Sequence, residues 1–153
     1  MLRIVSFNLN GLRAALRKGL AEWVAAVDAD IYCFQELKAD EPLAQGLLAE
    51  TFPDYQAYTA CATRKGYSGV AILTRPEPQD VAVGCGDFGF DAEGRVLRAD
   101  YEHFTLLNVY LPSGTMGDIR QAVKDRFMPH LLRHTQALLA ERPRLVICGD
   151  FNI

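Results

Sequence analysis

Leu145-Val146-Ile147-Cys148-Gly149-Asp150-Phe151-Asn152 is a short apolar run that stops on a glycine and two oxygen-bearing side chains. Four apolar residues in a row read as a strand buried on both faces. Two earlier runs end in the same way. Leu2 to Phe7 leads into Asn8 and Asn10, and Ile31 to Phe34 leads into Gln35 and Glu36. In α/β proteins ligand sites gather at such strand ends. Each of these residues alone also fits a turn. Three strands ending alike point to a site at one sheet edge. The set holds no Cys or His, and all-oxygen ligation with few carboxylates suits Mg²⁺, with Mn²⁺ as a substitute.

Outward from these strands the pattern is α/β. Leu12, Leu16, Leu20, Trp23, Val24 and Val27 recur at spacings of three and four, which predicts one amphipathic helix with Trp23 in the core. A short helix is expected over 43–50 and a long one over 118–140, with Ile119, Val123, Phe127, Leu131, Thr135 and Leu138 on one side. Strands are expected near 55–61, 69–74, 81–83, 96–101 and 104–110, with turns at 75–78 and 91–94. This order predicts one mixed sheet with helices on one side and an apolar face left uncovered.

The chain has 153 residues and a formal charge of 16 − 19 = −3, with 50% hydrophobic and 23% charged residues. That composition excludes disordered and low-complexity classes and fits one domain. No apolar run approaches the roughly 18–20 residues that span a bilayer, so no membrane partner is expected. Residues 1–7 carry no signal-peptide pattern. Cys33, Cys61, Cys85 and Cys148 are scattered, as reduced thiols of a cytoplasmic protein would be. Charge is uneven. The first twenty residues hold Arg3, Arg13, Arg17 and Lys18 and no acid; such a local basic face fits an ordinary solvated helix face and can also serve a polyanion.

Lys65-Gly66-Tyr67-Ser68-Gly69 sets a tyrosine between glycines beside Arg64 and Lys65, which suits nucleic acid as well as a plain turn. His130 and His134 are four apart on the long helix, but no carboxylate sits at the spacing of a zinc protease, so a packed or solvated face is expected. There is no GxSxG, P-loop or GxGxxG.

Six segments in order resemble the exonuclease III family of class II apurinic/apyrimidinic endonucleases, within the endonuclease/exonuclease/phosphatase superfamily. They are Ser6–Ala14, Gln35–Lys38, Gly66–Leu73, Gly94–Val96, Asn108–Gly114 and Gly149–Asn152. The resemblance implies a metal set of Asn8, Glu36, Asp150 and Asn152, with Glu36 principal. It implies that Asp150 orients or deprotonates the attacking water. Asn152 would stabilise the phosphate, and Tyr110 would contact the scissile phosphate. Arg13, Gly66 and Tyr67 would touch DNA. The implied reaction is Mg²⁺-dependent cleavage of duplex DNA 5′ to abasic sites, with 3′→5′ exonuclease action, in base excision repair. Other readings are a superfamily phosphatase on inositol phosphates or lipids, and a non-catalytic DNA-binding remnant.

The family's domain continues past Gly-Asp-Phe-Asn. Residues 1–153 are therefore expected to be the N-terminal half of a four-layered α/β-sandwich of mixed sheets and flanking helices. The second sheet, an acidic metal ligand and a late Asp-His pair would lie in the absent part. Such a fragment is expected to be inactive and to self-associate through its exposed apolar sheet face.

Overall fold

The computed structural model describes residues 1–113 and 118–152, without the side chains of residues 118–120. Thirteen elements follow one another: β1 (Ile4–Asn8), α1 (Leu12–Arg17), α2 (Leu20–Val27), β2 (Ile31–Gln35), α3 (Glu41–Thr51), β3 (Gln56–Ala60), β4 (Val70–Thr74), β5 (Asp80–Val83), α4 (Phe88–Asp91), β6 (Val96–Asp100), β7 (Thr105–Tyr110), α5 (Asp118–Glu141) and β8 (Leu145–Asp150). They form two four-stranded sheets, β1-β2-β4-β3 and β5-β6-β7-β8. β1 pairs parallel to β2 and β7 parallel to β8, while the other neighbours are antiparallel.

Strand alternation builds three cores between four layers. Tyr32, Phe34, Ala71 and Leu73 face Leu12, Leu20, Val24 and Leu48 of the first helices. The alternate residues Ile31, Cys33, Val70 and Ile72 meet Leu97, Ala99 and Leu106 of the second sheet. Val96, Leu107 and Val109 face Phe127, Leu131 and Leu138 of α5. The expectation of one sheet with a bare face is thus corrected. The second sheet lies within this chain, and each sheet covers the other. Self-association through an uncovered face loses its basis. The apolar side chains that remain exposed include Phe7, Val146, Ile147 and Phe151, on or beside the edge strands β1 and β8.

The single helix expected over 12–27 is two. Gly19, at φ 94°, caps α2 in a left-handed conformation and turns the chain between α1 and α2. Trp23 is half-buried at the core's margin, 5.0 Å from the exposed Phe7 ring. α3 starts at a capped terminus, where the Asp40 carboxylate accepts the Leu43 N–H. α4 occupies part of the expected 91–94 turn, and Asp87 accepts the N–H groups of Gly89 and Phe90 at its start. On α5, Val123, Phe127, Leu131 and Leu138 pack inward, and the Ile119 side chain lies outside the described residues. No described helix is long and apolar enough to cross a membrane. The four cysteines are free thiols.

His130 Nε2 donates to the Cys85 carbonyl at 3.0 Å, so that histidine is a packing contact. His134 is half-buried, and its Nε2 has no partner among the described residues. Burial pushes the His134 imidazole below its ordinary range; Arg98 and His130 add to this and Asp91 opposes it. The unfolded chain therefore takes up the proton first as pH falls. Stability present above the unfolded value of about 6.5 is lost as pH falls through the lower folded value. Thermal midpoints should decline below that pH, and His134→Leu should flatten the decline. Equal slopes in the two proteins would assign the pH dependence to other groups.

Candidate active site

Two parallel pairings deliver the site. Asn8 stands beside Gln35 at the ends of β1 and β2, and Tyr110 beside Asp150 at the ends of β7 and β8. Across the two sheets Asn8 Nδ2 donates to Asp150 Oδ2 at 2.7 Å. The Asn8 side-chain oxygen accepts the Asn10 N–H at 2.8 Å, so both ends of this amide are engaged. Asp150 Oδ1 accepts the Asn152 N–H at 3.0 Å, and Asn152 Nδ2 donates to the Leu111 carbonyl at 2.7 Å. Lys124 Nζ from α5 donates to the Asn152 carbonyl at 2.6 Å. The Asp150 carboxylate is thereby held by two donors from two different strand ends.

Glu36 follows β2 at a left-handed φ of 61°. Lys38 lies 3.0 Å from its carboxylate and also donates to Asn10 Oδ1 at 2.6 Å. Asn10, Glu36, Lys38, Ser68 and Asn152 all have positive φ, and all lie on this rim. Side chains rarely tolerate that region, and such strain gathers at functional sites. Backbone bonds stitch the rim together. Gly11 and Leu12 N–H donate to the Glu36 and Leu37 carbonyls, and Leu37 and Lys38 N–H donate to the Gly69 and Ser68 carbonyls. The start of α1, which carries Arg13, and the loop carrying Gly66 and Tyr67 thus flank the loop carrying Glu36. Arg13 and Gly66 are exposed and Tyr67 is half-buried.

The Tyr110 phenol is pushed up to about 12, first by burial and then by Glu36; Asp150 and Tyr67 add to this and Arg95 opposes it. Near neutral pH it is a protonated hydroxyl, able to donate a hydrogen bond. Tyr110 and Asp150 are register partners at the ends of β7 and β8, and the charge of Glu36 also bears on the phenol. The hard oxygens of Glu36 and Asp150, with the amide oxygens of Asn8 and Asn152, suit a divalent cation completed by water and substrate. Among the described residues no group of three or more His, Cys, Asp or Glu forms a preformed metal centre.

One expected member of the rim is elsewhere. Gln35 is buried between the sheets, where Nε2 donates to Asn108 Oδ1 at 2.8 Å, to the Cys33 carbonyl at 2.9 Å and to Ser6 Oγ at 3.1 Å. Asn108, to which the sequence pattern assigns no role, donates from β7 to the Phe34 and Ala71 carbonyls of the other sheet at 3.0 and 2.9 Å. Buried amides require partners, and this pair pins one sheet to the other behind the site. A second residue of this kind is Arg95, almost wholly buried between Tyr67 and Tyr110. The Gly94-Arg95 dipeptide marked its place, but its contacts are tertiary.

The sequence matches the endonuclease/exonuclease/phosphatase family over residues 5–153. It is 34% identical to the DNA repair nuclease APEX1 of Danio rerio and to the exodeoxyribonuclease of Bacillus subtilis, each over 99% of this chain. It spans about half the length of these relatives, 49% and 59% respectively. Among solved structures, the 3′-5′ exonuclease NExo of Neisseria meningitidis superposes with a TM-score of 0.85 at 28% identity, covering 99% of this chain and 58% of that one. An AP endonuclease from Archaeoglobus fulgidus superposes with a TM-score of 0.85 at 28% identity, covering 100% and 58%. Fold and sequence match agree: the chain belongs to the endonuclease/exonuclease/phosphatase family.

Proposed function

We propose that this chain carries the first part of a DNA-repair nuclease that hydrolyses phosphodiesters of duplex DNA, 5′ to abasic sites and from 3′ ends. The observation that carries the reading is the Asn8–Asp150–Asn152 cluster, set with Glu36 and Tyr110 on the rim that bears Arg13, Gly66 and Tyr67. The relatives' names, a DNA repair nuclease and an exodeoxyribonuclease, support it.

Each residue has a role that its surroundings allow. Asp150, fixed by the Asn8 amide and the Asn152 N–H, orients the attacking water and takes its proton. Asn152 Nδ2 spends one hydrogen on Leu111 and has a second to offer a phosphate oxygen. Tyr110, protonated, donates to the scissile phosphate. Arg13 and Tyr67 hold the duplex. Gly66 leaves room for the DNA backbone, since even a β-carbon added at this glycine would meet nothing within 4 Å. A divalent cation, Mg²⁺ with Mn²⁺ as substitute, would rest on Glu36 with Asn8, Asp150 and Asn152 near, and would neutralise charge developing on the phosphate. Lys38 Nζ, 3.0 Å from the Glu36 carboxylate, offsets part of its charge.

The remaining donors of the site we assign to a further half-domain, in keeping with the relatives' greater length. The test joins both points. The chain should cleave an abasic duplex only when mixed with the complementary half-domain and Mg²⁺. Glu36→Gln should weaken Mg²⁺ binding at least tenfold, about 1.4 kcal/mol, with cleavage partly restored at high metal. Full cleavage by the chain alone would sink the half-domain assignment. Unchanged Mg²⁺ affinity by titration calorimetry would remove Glu36 from the metal set.

A further inference from the structure

We propose that Arg95 is a positioning residue that locks Tyr67 and Tyr110 into one preformed unit, so that a single buried guanidinium sets both the duplex contact and the phosphate contact. This rests on the nuclease reading above.

The geometry is specific. Arg95 is 3% exposed, and all three of its side-chain nitrogens are engaged. Nη2 donates to the Tyr67 hydroxyl at 2.8 Å, Nη1 to the Tyr110 carbonyl at 3.0 Å, and Nε to Glu93 at 2.5 Å. The guanidinium carbon lies 5.6 Å from the Tyr67 ring centre and 5.0 Å from that of Tyr110. The Tyr110 N–H returns a bond to the Arg95 carbonyl at 2.8 Å. A planar fork can do this, whereas a lysine ammonium can match the charge but not the set of directions.

The loop bearing Tyr67 needs such an anchor. Gly66, Ser68 and Gly69 all have positive φ, and residues 63–66 are exposed. Arg95 is itself fixed from below. Gly94 sits so close to β3 that a side chain would meet the Ala60 carbonyl at 2.5 Å, and the Thr63 N–H donates to the Ala92 carbonyl. The turn before β6 therefore cannot shift without moving the end of β3. Arg64 lies over the Tyr67 ring at 5.2 Å as a second cation, but it is exposed and cannot fix the ring from within.

The experiment is a double-mutant cycle on duplex affinity. Binding of a fluorescent duplex carrying a tetrahydrofuran abasic analogue is measured by anisotropy for the full 153-residue chain, Arg95→Lys, Tyr67→Phe and the double variant, with thermal midpoints alongside. Arg95→Lys should remain folded yet bind at least tenfold more weakly. In the Tyr67→Phe background the same change should cost less than threefold, because the bond to the Tyr67 hydroxyl is already gone and only the bonds to the Tyr110 carbonyl and Glu93 remain to be lost. Arg95→Met with Glu93→Gln removes both charges of the Arg95–Glu93 ion pair, and it replaces Arg95→Lys in the cycle if that variant unfolds. Affinity within twofold of the parent in a folded Arg95 variant overturns the proposal. So does a loss that is fully additive with Tyr67→Phe. Failure of the parent chain to bind the duplex would instead count against the nuclease reading itself.

Discussion

Gly149→Ala should unfold the protein. Gly149 has a φ of 144°, in the range that favours glycine, and a side-chain carbon placed on it would sit 1.8 Å from the Val109 carbonyl oxygen. No rotamer relieves this, because the clash is with backbone. Val109 is the register partner of Gly149 in the parallel pair of β7 and β8. The methyl fits only if the two strands part, and that breaks a ladder with the Gln35–Asn108 bridge behind it. The expected loss is about 4 kcal/mol or more, a large share of the roughly 5–15 kcal/mol that holds a domain together. The glycine before Asp150 thus serves the site through the strand. It lets β8 lie close enough to β7 for Tyr110 and Asp150 to emerge as neighbours. Thermal melting followed by circular dichroism is the check, and a midpoint within a few degrees of the parent would refute the steric argument.

The central strands were legible because each is a short apolar run stopped by a polar residue or glycine, whereas β8, expected to be buried on both faces, is an edge strand with Val146 and Ile147 exposed. Ile31–Gln35 and Val70–Thr74 are buried along their whole length and stand where the runs stand. The second sheet was harder to place. Val96-Leu97 and Leu106-Leu107 put apolar side chains on both faces of their strands, which requires two covers. Read that way, the runs at 96–101 and 104–110 already demanded a facing sheet as well as a helix. Gly19 broke the first helix because the 3.6-residue stripe continues across it, and periodicity alone does not register a glycine's left-handed turn. Gln35 deceived for another reason. A polar residue at the end of a buried strand fits a ligand site and an inter-sheet bridge equally well. Only Asn108, 73 residues away, decides between them. Arg95 is the same case, since a guanidinium engaged on every side cannot be told from a solvated one until the fold brings Tyr67 and Tyr110 to it.

Asp150→Asn should all but abolish cleavage while leaving fold and duplex affinity in place. The substitution keeps the shape of the side chain, and with it the packing at the end of β8. It replaces a carboxylate by an amide whose nitrogen cannot take a proton. One amide oxygen can still accept from Asn8 Nδ2 or from the Asn152 N–H, but not both, whereas the carboxylate accepts both. On the nuclease reading proposed above, the water therefore loses its proton acceptor, and the residue loses half of what orients it. Loss of a positioned general base commonly costs about 10²–10⁴ in rate. The mispaired amide adds to this, so a fall of about 10³ or more is expected. The comparison is made on protein competent for cleavage, with single-turnover rates on an abasic duplex and anisotropy for binding. Asn8→Ala supplies the companion measurement. It leaves the Asp150 carboxylate intact but removes the donor that aims it, so its rate should fall between those of the parent and Asp150→Asn. If Asp150→Asn cleaves within tenfold of the parent, the proton acceptor is another group. If it binds the duplex much more weakly at unchanged stability, Asp150 acts in binding and the division of roles on the rim, with Arg13 and Tyr67 holding DNA and Asp150 reserved for the water, is wrong.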